Sequence, residues 1–313
     1  MTPKPKTTKT LKKPRVRETP KYRSFRLSKK RLKQHQPIPG TIKLFKDSLR
    51  VIGRNKRLFI GISLINTLLA LVFVHGLGSS FDIVGVKQEL QDYLGNESDQ
   101  YGTTLALFGY LIGTAGSTAG DAASAYQIFL MVVTSLAAIW AVRQILAGLR
   151  PGLRESFYKG MYPLIPFMAV LAVIGLQLTP FLFGNFIFTE VLQNGIAETT
   201  LEKALWFILF ILLTLLSAYM LISSVFALYI STLPEMTPWR ALRSARELVL
   251  HRRFAIALRI VAFPLVVSLA TALIFIPLLI VFTPVVQILF IALSAFTLIF
   301  IHIYMYLLYR ALI

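Results

Sequence analysis

Glu247 and His251 lie four residues apart in TPWRALRSARELVLHRRF, residues 237–254, among Arg240, Arg243, Arg246, Arg252 and Arg253. On a helix that spacing puts carboxylate and imidazole on one face. Such a pair can act as general acid and base on a phosphodiester that arginines hold. The bland reading uses the same spacing. Glu247 also follows Arg243 by four residues, so it can offset both neighbours as a surface ion pair. The second reading needs no substrate and is the more economical one. No other set of residues supports catalysis. His35, His75 and His302 are far apart, and no HExxH spacing occurs. Cysteine is absent, which excludes disulfides, zinc–thiolate sites, iron–sulfur clusters and thiol nucleophiles. Gly113, Gly116 and Gly120 can form a nest, but no Lys-Ser/Thr follows them, so a phosphate-cradling Walker loop is rejected. No catalytic residue, metal ligand or cofactor site is expected, and the chain reads as a non-enzyme.

The element that positions the arginines is an amphipathic helix. Thr237 suits the N-cap, and Pro238 suits the first helical position. At 100° per residue Ala241, Ala245, Leu248 and Val249 gather on one face, with Leu242 at its edge. Such a helix lies at a membrane interface, its stripe against acyl chains or against a helical bundle. Arg240, Arg243, Arg246, Arg252 and Arg253 then reach lipid phosphates, and Trp239 anchors the interface.

Composition supplies the membrane. Of 313 residues, 56% are hydrophobic and 15% charged, and the mean hydropathy is +0.67. A soluble fold of this size cannot bury that many apolar side chains. Apolar runs near 58–75, 124–147, 162–183, 204–231, 256–277 and 286–309 can each cover a hydrocarbon core, which needs about 20 helical residues. Alternation is lacking, which excludes a barrel. The formal charge of +19 is concentrated at one end. Residues 1–57 hold 20 Lys/Arg against Glu18 and Asp47. With the N-terminus inside, only Lys87 and Lys203 fall on outer connections, which carry most of the acidic residues. The expected fold is an all-α polytopic membrane protein of about six transmembrane helices in three hairpins, with inner interfacial amphipathic helices. Residues 1–36 read as a disordered basic cytoplasmic tail and 37–313 as the transmembrane domain. The expected location is the bacterial cytoplasmic membrane, both termini cytoplasmic.

Several details sharpen this reading. Residues 103–113 are too short to span and read as an interfacial helix, with a re-entrant segment as the alternative. Arg143 and Arg259 lie near inner span ends, where they can snorkel, and neither has an acidic partner in its own span. His302 reads as a hydrogen-bonded structural histidine. Ser217 and Ser224, and likewise Ala172 and Gly175, share faces that permit close packing. Pro264 marks a kink, and Pro277 and Pro284 bracket a short outer turn.

A similar device occurs three times. PIPGTIKLFKDSLRVIGRNKRLF (37–59), LRPGLRESFYKGMYPLIPF (149–167) and LPEMTPWRALRSARELVLHRRF (233–254) each combine a proline, an apolar stripe and a basic end. Each also holds a serine, at Ser48, Ser156 and Ser244, and two spans follow each. An internal repeat is one explanation. The other is that every in-to-out helix needs a capped, basic entry.

The same residues carry a family resemblance. TPWRALRSARELVLHRRFAIALRIVAF, with Pro238, Ala241, Leu242, Ser244, Arg252 and Arg253, resembles an uncharacterised bacterial integral-membrane family. That family is similar to the membrane domain of glycerophosphoryl diester phosphodiesterases. IWAVRQILAGLRPGLRESFYKG (139–160) resembles its first inner loop, and the basic tail followed by PIPGTIKLFKDSLR is similar to members from candidate-phylum bacteria. The resemblance covers roughly residues 40–312. It implies a polytopic cytoplasmic-membrane protein. In the fused proteins the chemistry sits in a separate barrel, which this chain lacks, so the phosphodiesterase activity is not carried over.

The expected partners are membrane lipids, above all anionic ones, contacted by the tail and the arginines. Nucleic acid is disfavoured, because Tyr22 and Phe25 are the only aromatics before Phe45. Nothing in the sequence specifies a protein partner. The expected role is non-enzymatic handling of a lipid or amphiphile at the cytoplasmic leaflet. The alternatives are a scaffold or assembly protein, or a transporter of a small solute lined by Asn66, Gln177, Tyr219, Ser223, Gln287 and His302.

Overall fold

The structure is a computed structural model that describes residues 38–75, 85–89, 104, 106–109, 121–250, 252–281 and 283–313. The basic tail, His251, the three glycines of the rejected nest and most of 103–113 lie outside the described residues. Among these residues all regular structure is helical. Helix α1 is Thr41–Arg54, and α2 is Lys56–Leu69, which passes into a π-helical turn at Ala70–His75. Then follow α3 (Asp121–Leu146), α4 (Leu153–Gly160), α5 (Leu164–Gln177), α6 (Thr179–Gln193) and α7 (Thr200–Ser231). The last three are α8 (Pro238–Val249), α9 (Arg253–Val281) and α10 (Thr283–Leu312).

Six stretches among them are helical, long and apolar enough to cross a membrane: Lys56–Val74, Ala123–Leu146, Leu164–Gln193, Thr200–Ser231, Arg253–Val281 and Ile288–Leu312. This is an all-α polytopic membrane fold of three hairpins. A short amphipathic helix, α1, α4 or α8, precedes each hairpin. These helices mark one end of the bundle, called here the basic end. Helices α3 and α10 are the most enclosed. Most of the α7 surface faces outward through Leu205, Leu209, Leu212 and Leu216.

The third crossing is longer than the sequence indicates, and it is broken. Pro180 has no N–H, so the helix stops at Gln177 and restarts at Thr179. The restart leaves first-turn donors without partners. Ser217 of α7 accepts one of them, the Phe181 N–H, at 3.0 Å. Nearby, a Cβ on Gly184 would stand 3.0 Å from Leu213, so α6 and α7 approach closely there. Gly175, expected to allow close packing, has nothing within 4 Å of its would-be Cβ. In the last pair α9 runs through both Pro264 and Pro277 to Val281, so Pro277 lies inside the helix and not at the turn. Internal proline is tolerated in helices that pack in an apolar medium.

Cations tie the basic end together by donating to carbonyls. Arg143 Nη1 reaches Thr232 O, at the end of α7, at 2.8 Å, and Arg310 Nη1 reaches Leu146 O, at the end of α3, at 3.4 Å. Arg259 holds the entry to α1 through Pro39 O at 2.9 Å and Ile38 O at 3.1 Å, and also reaches Ala255 O. Helix C-termini carry partial negative charge and orphan carbonyls, so Arg143 and Arg310 need no carboxylate, whereas Arg259 uses carbonyls ahead of α1 and in the first turn of α9. Tyr229 of α7 and His302 of α10 share a buried hydrogen bond of 3.1 Å. At the far end Leu107 and Phe108 pack on Phe275, Leu279 and Val286, and Lys87 Nζ donates to Leu279 O at 3.2 Å. The described part of 103–113 therefore packs on the end of the α9–α10 hairpin away from the basic end.

Candidate functional site

Helix α8 begins as its sequence dictates. Thr237 has extended backbone and accepts the Arg240 N–H through Oγ1 at 3.4 Å, and Pro238 opens the first turn. Ala241, Ala245, Leu248 and Val249 are buried. The stripe packs mainly on α7 and secondarily on α5, so it faces the bundle and not acyl chains. Alanine at two of these positions lets the helix axes come close.

Only six residues join α7 to α8, yet Arg253, just past α8, stacks on Tyr219 with its guanidinium carbon 4.2 Å from the ring centroid. Tyr219 lies twelve residues before the end of α7, about 18 Å along its axis. Helix α8 therefore folds back along α7. Between this hairpin and α5 lies an open cleft of about 600 Å³. One wall is basic: Arg243 and Arg246 from α8, and Arg253 from the start of α9. The α5 wall contributes Val173 and Gln177, and α7 contributes Tyr219, Met220, Ser223 and Ser224. Trp239 and Leu242 complete the lining, with Trp239 79% exposed at the edge.

The lining holds three cations and no carboxylate. Glu247 approaches Arg243 from outside it at 3.4 Å, which is the expected i,i+4 pair. Arg253 gains about 0.5–1 kcal/mol from an exposed aromatic face. Ser223 Oγ turns back to Tyr219 O at 3.2 Å. The Oε1 of Gln177 is buried without a hydrogen-bond partner. The arrangement offers planar guanidinium donors beside apolar side chains. Such a surface suits a phosphate group attached to something greasy.

Of the six residues singled out in the sequence, Trp239, Arg243, Arg246 and Arg253 line the cleft together. Arg240 is exposed on α8, and Arg252 is half-buried, and neither is part of the lining. The side chain of Gln287 lies outside the described residues, and the other polar residues proposed to form a path through the bundle do not converge. Gln177, Tyr219 and Ser223 are in the cleft, His302 pairs with Tyr229, and Asn66 lines a separate cavity of about 150 Å³ with Gln127 and Ser294. Asn66 Oδ1 accepts the Thr134 hydroxyl there at 2.9 Å.

Sequence reasoning did not connect Tyr219 and Gln177 with the arginines. Tyr219 and Ser223 share a helix face, but nothing in the chain shows which face α8 will cover. Comparison with protein-family models, curated proteins and solved structures gives no match.

Proposed function

We propose that this is a non-enzymatic membrane protein that holds a lipid or amphiphile at the cytoplasmic leaflet of the plasma membrane, with both termini cytoplasmic. The observation that carries the reading is the cleft between α5, α7 and α8. It has Arg243, Arg246 and Arg253 on one side, faces Val173, Met220 and the Tyr219 ring interspersed with Gln177, Ser223 and Ser224 on the other, and opens beside exposed Trp239. Guanidinium groups beside apolar wall match a phosphate head with an attached chain. The positive charge at the basic end supports a cytoplasmic orientation for it. The resemblance of 139–160 and 237–263 to the membrane domain of glycerophosphoryl diester phosphodiesterases is part of the same proposal, without the activity.

Co-purified lipid tests the reading. Anionic phospholipid should be retained by the unaltered protein and largely lost when Arg243, Arg246 and Arg253 become Gln. Unchanged retention in a folded variant would refute it. The same preparation should show no turnover of phosphodiesters or phospholipids that depends on Glu247 or His251. Single cysteines, introduced into a chain that has none, test the orientation. A cysteine at Asn194 should react with an impermeant reagent from outside, and one at Arg154 should not.

A further inference from the structure

The three amphipathic helices can be aligned by their caps instead of by residue type. Gly40, Gly152 and Thr237 are the N-caps, all with extended backbone near ψ 150–160°. Each cap carbonyl accepts from the fourth residue after it, at 3.1, 3.0 and 3.0 Å for Leu44, Ser156 and Ala241. Those fourth residues are all buried, and so are the eighth, Ser48, Gly160 and Ala245. At twelve, which α4 is too short to reach, Ile52 and Val249 are buried. The serines that look alike in sequence are not equivalent, since Ser48, Ser156 and Ser244 stand eight, four and seven residues after their caps.

The packing is cyclic as well. Helix α4 lies on α3 and α2, α8 lies on α7 and α5, and α1 lies on α10 and α9. Each amphipathic helix thus covers the hairpin before it in the chain, and α1 closes the ring on the last hairpin. The second helices of the hairpins are linked in the same circular order, by Arg310 to Leu146, Arg143 to Thr232, and Tyr229 to His302.

The fifth residue after the cap points at the groove that its helix covers. In α1 it is Phe45, which lies 5.0–5.7 Å from the rings of Phe263, Phe300 and Tyr304. In α4 it is Phe157, packed on the cluster around Phe59, Ile62 and Ala138. In α8 it is Leu242, and there the cleft remains open.

We infer that the cleft is the vacant copy of a threefold repeated junction, and that an anionic amphiphile fills it with an apolar group where the sister junctions place a phenylalanine ring. The proposal rests on the lipid-holding function above and adds the shape of the ligand: a phosphate-type head on Arg243, Arg246 and Arg253, and one chain or ring in the slot beside Leu242, Val173 and Met220. A cavity of about 600 Å³ is within the range of a small-ligand pocket and holds one such group.

Leu242→Phe tests it, because it restores the residue type of the two closed junctions. Full-length protein is reconstituted in nanodiscs containing phosphatidylglycerol, and bound lipid is measured after washing. Leu242→Phe should fold, melt at the same or a higher temperature, and retain at least about tenfold less phosphatidylglycerol. Leu242→Ala serves as the folding control, and Arg240→Gln, exposed on α8 outside the lining, should retain phosphatidylglycerol within about threefold of the unaltered protein. Millimolar inorganic phosphate should not displace the lipid; full displacement would mean that the site recognises the phosphate alone and would overturn the slot. Unchanged retention in Leu242→Phe, with loss in the arginine variants, would overturn the slot and leave the head-group reading standing. Unchanged retention in both would overturn both. A Leu242→Phe chain that does not fold, beside a folded Leu242→Ala, would show that the junctions are not equivalent.

Discussion

Where α1 covers the groove between α9 and α10, Phe45 fills the space among Phe263, Phe300 and Tyr304. Where α8 covers the groove between α5 and α7, Leu242 stands at the same distance from its cap and about 600 Å³ remains open. The cations differ in the same sense. Arg259, beside the filled junction, is consumed by the carbonyls of Ile38, Pro39 and Ala255. Beside the open one, Arg253 rests on a ring face and Arg243 on one exposed carboxylate. One junction uses its side chains to satisfy the protein, whereas the other presents them to a space. The fifth residue after the cap thus fills its groove with a ring in two places and leaves it open in the third, while α4 also borders a separate open cleft of about 800 Å³ through Tyr158 and Lys159.

The largest expected effect separates the two junctions directly. Phe45→Ala should cost about 3 kcal/mol, because it removes an aromatic ring from a packed cluster. Leu242→Ala, at the open junction, should cost no more than about 1 kcal/mol, because the half-buried side chain borders the cleft. Denaturant titration in micelles reads both, and equal losses would erase the distinction. Next, Arg143→Gln should cost about 2 kcal/mol by removing a charged hydrogen bond to Thr232 O. Arg253→Gln should leave stability within about 1 kcal/mol and act on lipid retention instead. A smaller effect is expected at Ser217→Ala, about 1 kcal/mol, since the Phe181 N–H loses its acceptor. If that variant is neutral by thermal melting, the broken third crossing does not depend on α7 for its cap. Smallest of all, Glu247→Gln should change stability by under about 0.5 kcal/mol, because the pair with Arg243 is largely exposed. Freed of that carboxylate, Arg243 should raise the affinity for anionic lipid slightly, and a fall would assign Glu247 to the site itself.

The hydrophobic runs, the Thr237–Pro238 start and the Ala241–Ala245–Leu248–Val249 stripe were legible because each depends on neighbours within a few residues. The repeat was visible only as a resemblance, and the serines misled it. Cap register, which aligns Leu44 with Ser156 and Ala241, needs backbone geometry that residue type does not report. The partner of Arg143 was hidden for another reason. It is a carbonyl 89 residues away, and a carbonyl has no residue type at all. The break at Leu178 had a signal in Pro180, but apolar composition continues through it and hydropathy alone extends or trims a span without marking the break. Which of three grooves stays open is decided by Phe, Phe and Leu at matching positions, a difference that acquires meaning only once the helices are stacked on their grooves.

If the α5/α7/α8 cleft holds one anionic amphiphile, the lipid stoichiometry of the intact protein must be one. Native mass spectrometry of the full chain, released from micelles after delipidation and re-addition of phosphatidylglycerol, should show a single tightly held lipid. That adduct should be absent from the Arg243, Arg246 and Arg253 to Gln variant. A single adduct of the same strength in that folded variant, or no preference for phosphatidylglycerol over phosphatidylcholine in the unaltered protein, would show that the cleft is not an anionic-lipid site.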